Sequence, residues 1–156
     1  MKPYFQNYQI LKKMRPIKFR GKPVNSDEWV YGGYYQTTKG EPRIITVDEI
    51  TGTVTDWDVQ PETVGQSTGY CDKNGKEIFE GDIIVSDRYP FFDDGKPNYV
   101  ALVEFDDMCF IAVFELHKDS NARGISIGMP TDFDTKNVGQ YEVIGNVHDN
   151  SDILRP

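Results

Sequence analysis

From Ile17 onward the apolar side chains recur at every second position rather than every third or fourth, and this period constrains the fold more than any other feature. Alternation puts successive side chains on opposite faces of a strand, whereas an amphipathic helix needs a 3.6-residue period. Ile17 and Phe19 alternate with Lys18 and Arg20, and residues 28–35 form a Trp-, Val- and Tyr-rich run around Gly32-Gly33. Segments 43–47 and 53–57 flank Thr51-Gly52 and predict a hairpin. Segments 99–105 and 109–114, joined at Asp106-Asp107-Met108, predict a second. Residues 83–85 follow a Glu80-Gly81-Asp82 turn, and 141–147 form the last strand, with Gly145 as a bulge or close-contact point. β-Branched and aromatic residues dominate every segment, and no internal stretch supports a helix of three turns. Many short strands between Gly, Asn and Asp turns predict a mainly β protein. The expected architecture is a small barrel or sandwich, with at most one short N-terminal helix.

A chain of 156 residues fits one domain, or two small lobes sharing a core, and buries roughly 70% of its unfolded surface, enough to fold without staples. Its 38% hydrophobic content is low, but 13% is aromatic, and each buried ring removes about 150–250 Å² from water. Disorder is therefore excluded for most of the chain. Residues 1–13 differ in character. Tyr4, Tyr8 and Leu11 fall at i, i+4 and i+7, the spacing of one face of a short helix, which Pro16 would stop. Alternatively Met14 is the natural start and residues 1–13 are an upstream extension. Residues 14–156 form the domain proper.

The formal charge of −8 conceals an asymmetry. Seven of the 17 basic residues lie in 1–22 with no acid among them, so the remainder sets ten bases against 25 acids, a net −15. Such a surface repels phosphate backbones, so nucleic acid is not expected as a partner except through residues 1–22. That basic segment is expected to lie against the acidic body or in solvent. No secretory segment and no apolar run near 18 residues is present, so export and membrane spanning are not expected and a cytoplasmic setting is. Cys71 and Cys109 lack a CxxC spacing and predict free thiols in a reducing compartment. Cys109, in an apolar run, is expected in the core, and Cys71 is expected to be the more exposed.

The most distinctive stretch runs from Pro61-Glu62-Thr63-Val64-Gly65-Gln66-Ser67-Thr68-Gly69 through Asp72-Lys73-Asn74-Gly75-Lys76-Glu77-Ile78-Phe79-Glu80-Gly81-Asp82-Ile83-Ile84. It resembles the signature of the YopX family of phage and prophage proteins, a PETVGQ-x-TG element followed by DKNGKEI-[YF]-EGDI. Ile17-Lys18-Phe19-Arg20-Gly21-Lys22 is similar to the family's opening strand, and Tyr141–Asn146 with Val147 and Asn150 to its close. The similarity spans residues 14–154, with one departure at Tyr70-Cys71. It implies a bacterial setting without naming a reaction or partner.

The motif has a structural reading. Asn74-Gly75 tolerates positive φ in a tight hairpin whose charged neighbours stay in water. Glu80-Gly81-Asp82 before Ile-Ile-Val resembles the start of a strand in an SH3-like barrel, and Gly65 and Gly69 suit sharp reversals. The chemical reading is that Glu62, Glu77, Glu80 and Asp82 form a paired-carboxylate or metal-binding cluster. No histidine accompanies them; His117 and His148 are isolated. No P-loop, GxSxG, GxGxxG or zinc-type CxxC pair is present, so no catalytic residue, metal ligand or cofactor is assigned. Val64-Gly65-Gln66 recurs as Val138-Gly139-Gln140, too short for a repeat.

Three functional readings follow. The first is a non-enzymatic binding or assembly module for a protein partner, using the motif residues or a loop around Phe91-Phe92. The second is a small metal-dependent hydrolase built on the clustered acids. The third is an acidic decoy that imitates nucleic acid. Homo-oligomerisation is compatible with each, because a sheet must protect its edges.

Overall fold

The structure, a computed structural model, describes residues 17–86, 99–106, 109–114, 125–126 and 141–154. The expectations for residues 1–13, Phe91, Phe92, His117 and the second Val-Gly-Gln lie outside them. Eleven strands are described: β1 (Phe19–Gly21), β2 (Val30–Gln36), β3 (Pro42–Val47), β4 (Val54–Asp58), β5 (Gly65–Cys71), β6 (Glu77–Phe79), β7 (Asp82–Ser86), β8 (Tyr99–Asp106), β9 (Cys109–Phe114), β10 (Ile125–Ser126) and β11 (Tyr141–Asn146). Two 3-10 turns, Pro61–Thr63 and Ser151–Leu154, are the helical elements among the described residues.

The strands form two antiparallel sheets, of order β4-β3-β2-β1-β5-β6 and β10-β9-β8-β7-β11. The expected barrel-or-sandwich architecture thus resolves into two sheets, neither closed into a barrel. After β4 the chain folds back, with Pro23 bridging Val59 and the Val24 N–H donating to Asp58 O at 3.0 Å. This curls the first sheet around Ile44 and Val59, both essentially fully buried.

Both sequence-predicted hairpins form, β3 with β4 and β8 with β9. In the first, the Asp48 carboxylate accepts hydrogen bonds from the Ile50 and Thr51 N–H groups and the Thr51 hydroxyl, the turn-forming use of an Asp side chain. In the second, Cys109 pairs with Asp106 beside the loop and is exposed, which corrects its expected place in the core. It lies at the mouth of the hairpin, on the face opposite Phe110 and Ala112, which are buried. Cys71 is half-buried.

The main core lies on one face of the second sheet, where Ile84, Ala101, Val103, Ala112 and Tyr141 meet Ile78 of the first. Gly145 follows a register shift in the β7–β11 ladder, and a Cβ there would fall 2.6 Å from Asn150 Oδ1. The expected bulge and the expected close contact therefore coincide.

Candidate binding site

The Pro61–Ile84 motif is the hinge between the sheets. Thr63 ends its short turn, donating from Oγ1 to Gln60 O (2.7 Å) and accepting the Lys22 N–H (2.9 Å). In β5, Gly65 passes so close to the following turn that a Cβ would sit 2.6 Å from Glu80 O, and Gln66 O accepts the Glu80 N–H at 2.9 Å. Thr68, fully buried, donates to Ile78 O at 2.9 Å. Gly69 stands in the irregular stretch of the β5–β6 ladder between Ser67 and Cys71. The Glu77 carboxylate takes bonds from Ser67 Oγ (2.6 Å) and Lys18 Nζ (2.7 Å).

Asp72 departs from the expectation that the turn's charges stay in water, being 1% exposed. One carboxylate oxygen accepts the Asn74 and Lys76 N–H groups at 2.8 and 2.9 Å, and the other accepts the Val143 N–H at 3.0 Å. The Lys73 N–H also donates to Tyr141 O. Thus the Asp72-Lys73-Asn74-Gly75 turn is bolted to β11, the terminal strand of the second sheet, and satisfies part of an edge that would otherwise be open. Burial acts to raise the Asp72 pKa, but the three N–H donors and the Lys76 charge outweigh it and hold the carboxyl below its ordinary range.

The chain crosses between sheets at Gly81, whose N–H donates to Val103 O and whose carbonyl accepts the Val147 N–H. Beside it lies a buried ion pair, Arg20 Nη1 to Asp82 Oδ1 at 2.6 Å. Arg20 also donates to Glu80 O at 3.1 Å, and its guanidinium stands 4.6 Å from the Trp29 ring centroid and 5.1 Å from that of Phe79. Asp82 accepts the Phe79 N–H at 2.8 Å. Burial pushes the Asp82 carboxyl above its ordinary value, and Arg20 pulls it back without cancelling that effect. Trp29 Nε1 donates to Asp149 at 2.9 Å, and Lys22 pairs with the same carboxylate, as does Asn146. Bonding to Lys22 first, then Asn146 and Trp29, holds Asp149 well below the usual carboxylate range. Lys18, Arg20 and Lys22 thus lie against acids of the body, whereas the other four basic residues of the segment 1–22 lie outside the described residues.

Glu62, Glu77, Glu80 and Asp82 are not brought together as one cluster. Glu62 is exposed on the 3-10 turn, the Glu77 and Asp82 carboxylates serve the separate contacts above, and Glu80 enters them through its backbone alone. Among the described residues, no group of three or more His, Cys, Asp or Glu is placed to hold a metal ion. Described cations and acids are interleaved in pairs such as Lys18–Glu77, Arg43–Asp56 and Lys73–Glu142.

The feature not found by sequence reasoning is the outer face of β2, β3 and β4. The registers Gly33↔Ile45, Tyr35↔Arg43, Ile45↔Asp56 and Val47↔Val54 bring Tyr31, Gly33, Tyr35, Ile45, Val47 and Val54 onto one side. The five large side chains of this set are all exposed, Val47 at 59% and Val54 at 63%, and the adjoining loop residue Ile50 is almost wholly exposed. Exposed Gly33 leaves a notch between the two tyrosines, since nothing lies within 4 Å of where its Cβ would be. Arg43 pairs with Asp56 at 3.1 Å, and the Tyr35 hydroxyl donates to the same carboxylate at 2.7 Å. Lys18, 5.5 Å from the Tyr31 ring centroid, bounds the other side. The signal in the sequence was that β2 is apolar on both faces, although a surface strand needs to be so on only one.

A solved structure, the crystal structure of protein EF1440 from Enterococcus faecalis, shares this fold with a TM-score of 0.52 and 23% identity, covering 89% of this chain and 98% of that one. No curated protein matches. The family model described as YopX protein matches residues 18–155, which takes in the opening strand, the motif hinge and the last strand. The chain belongs to the YopX family.

Proposed function

We propose that this chain is a non-enzymatic binding module that engages a protein partner through the outer face of β2–β4, in a bacterial cell carrying a phage or prophage. The observation that carries this reading is the set of five contiguous large side chains (Tyr31, Tyr35, Ile45, Val47 and Val54) left in water on one sheet face. Isolated apolar residues on a surface are ordinary, but contiguous patches mark interaction sites. The motif carboxylates Asp72, Glu77 and Asp82 support the same reading, because each is engaged by internal donors. That arrangement fits a scaffold better than an acid, base or metal ligand. No described helix is long and apolar enough to cross a membrane.

The test is capture from nuclease-treated bacterial lysate by the wild-type chain and by Ile45→Thr/Val47→Thr, which keeps β-branched residues in β3 while making the face polar. The expected result is a nuclease-resistant protein partner lost with the double variant. Equal capture by both would refute the face as the site, and loss of the partner on nuclease treatment would point to nucleic acid as the mediator.

A further inference from the structure

We infer that the free edge of β4 accepts an extended segment of a partner protein as an added antiparallel strand. The segment would set an apolar side chain opposite Val54 and a Lys or Arg opposite Asp56. The inference rests on the reading of the β2–β4 face as a protein-binding surface and specifies how the partner is held.

Antiparallel strands alternate between residue pairs that exchange backbone bonds and pairs that do not. The Asp48 N–H donates to Thr53 O, and the Val59 N–H donates to Pro42 O. These bonds fix 48/53 and 42/59 as bonded pairs, and Thr46/Thr55 and Ile44/Trp57 fall in the same phase. Val54, Asp56 and Asp58 therefore turn their backbone groups away from β3. The bond from the Val24 N–H to Asp58 O at 3.0 Å confirms the phase, because Asp58 uses the outward side. β4 ends the first sheet, and among the described residues nothing pairs with this edge at Val54 and Asp56. Two N–H and two C=O groups are thus presented to solvent, the template on which strand addition works.

The side chains at the edge say what pairs there. Val54 and Asp56 project onto the outer face, so alternate residues of an added strand would extend the exposed patch. A second copy of β4 is the poorer occupant. An antiparallel register that engages both residues brings the two Asp56 carboxylates opposite each other or one pair apart, and like charges across a ladder destabilise it. A cation opposite Asp56 instead lands beside Asp58, whose carboxylate is half exposed and held only loosely by Arg43, at 3.9 Å. The surroundings carry the same sign, with seven acids against two bases across residues 27–58.

The probe is the blocked peptide Thr-Arg-Thr-Val-Thr-Arg-Thr, with a control in which Glu replaces Arg, added in millimolar excess to the full chain. Amide hydrogen exchange is read by NMR. The Arg peptide is expected to slow exchange at Val54 and Asp56 about fivefold, the ratio for peptide at four times its Kd, and the Glu peptide to leave it unchanged. Val54→Pro removes only an N–H that faces away from β3, a position where an edge strand tolerates proline, and should abolish the effect. Asp58→Lys, which leaves the backbone alone, should weaken binding at least several-fold. Equal slowing by both peptides, binding retained in Val54→Pro, or protection of these amides before peptide is added would each overturn the inference. A partner lost with Ile45→Thr/Val47→Thr but retained by Val54→Pro would leave the face standing as the site and sink strand addition alone.

Discussion

Removing the Asp72 carboxylate tests whether the family motif is a structural bolt. Asp72→Ala deprives three backbone N–H groups of their acceptor. Those of Asn74 and Lys76 lie in an exposed turn where water can replace the lost oxygen, at about 0.5–1.5 kcal/mol each. That of Val143 is buried against the core, and leaving it unsatisfied costs about 1–3 kcal/mol. The whole comes to about 4 kcal/mol, a large fraction of the 5–15 kcal/mol typical of a domain. Asp72→Asn keeps one oxygen for the turn but turns an NH₂ toward the Val143 N–H, and should cost about 2 kcal/mol. Urea denaturation followed by tryptophan fluorescence measures both, with the slope m expected to stay constant. The pH dependence adds a second readout. The folded pKa of Asp72 lies below its ordinary value, so the carboxylate's contribution is complete above the unfolded pKa near 4 and declines as the pH falls toward the folded value. The gap between wild type and Asp72→Asn should therefore narrow from pH 7 to pH 3. A gap within about 0.5 kcal/mol at pH 7, the range of an ordinary surface substitution, would refute the bolt. So would a gap that does not change with pH.

Adjacent glycines should behave oppositely. A Cβ on Gly32 would fall 1.9 Å from the Ile45 carbonyl oxygen, so Gly32→Ala should cost about 3 kcal/mol, whereas Gly33→Ala meets nothing and should stabilise the strand by about 0.5 kcal/mol; thermal unfolding separates them. Arg20→Met leaves Asp82 buried without its cation and should cost about 3–5 kcal/mol. Arg20→Met/Asp82→Asn should be no less stable than Arg20→Met alone, and a larger loss in the double variant would show that Asp82 does more than answer Arg20. Timed thiol labelling should modify exposed Cys109 before half-buried Cys71, and the reverse order would contradict the placement of Cys109 outside the core.

Local physics makes the strands and turns legible in the sequence. Period-two alternation specifies strands and faces without reference to the rest of the chain, so both hairpins and the bulge at Gly145 could be placed from residues alone. The motif's turns were equally legible, because Asn74-Gly75 and Gly81 carry turn chemistry in their own side chains or lack of them. Composition could not say which charges are buried. Asp72 and Lys73 look alike as flanks of a turn, yet only docking against β11 decides that Asp72 goes inside, where three N–H groups compensate its desolvation. Arg20 and Asp82 lie 62 positions apart and meet only where the sheets join. The candidate face needed still more tertiary information. Its six residues come from three strands, and each looks like core in isolation. They form a surface because the fold leaves the five large side chains on the outer side of β2–β4 exposed to water. Period two determines which residues share a face, whereas the packing of one sheet on another determines which face stays exposed.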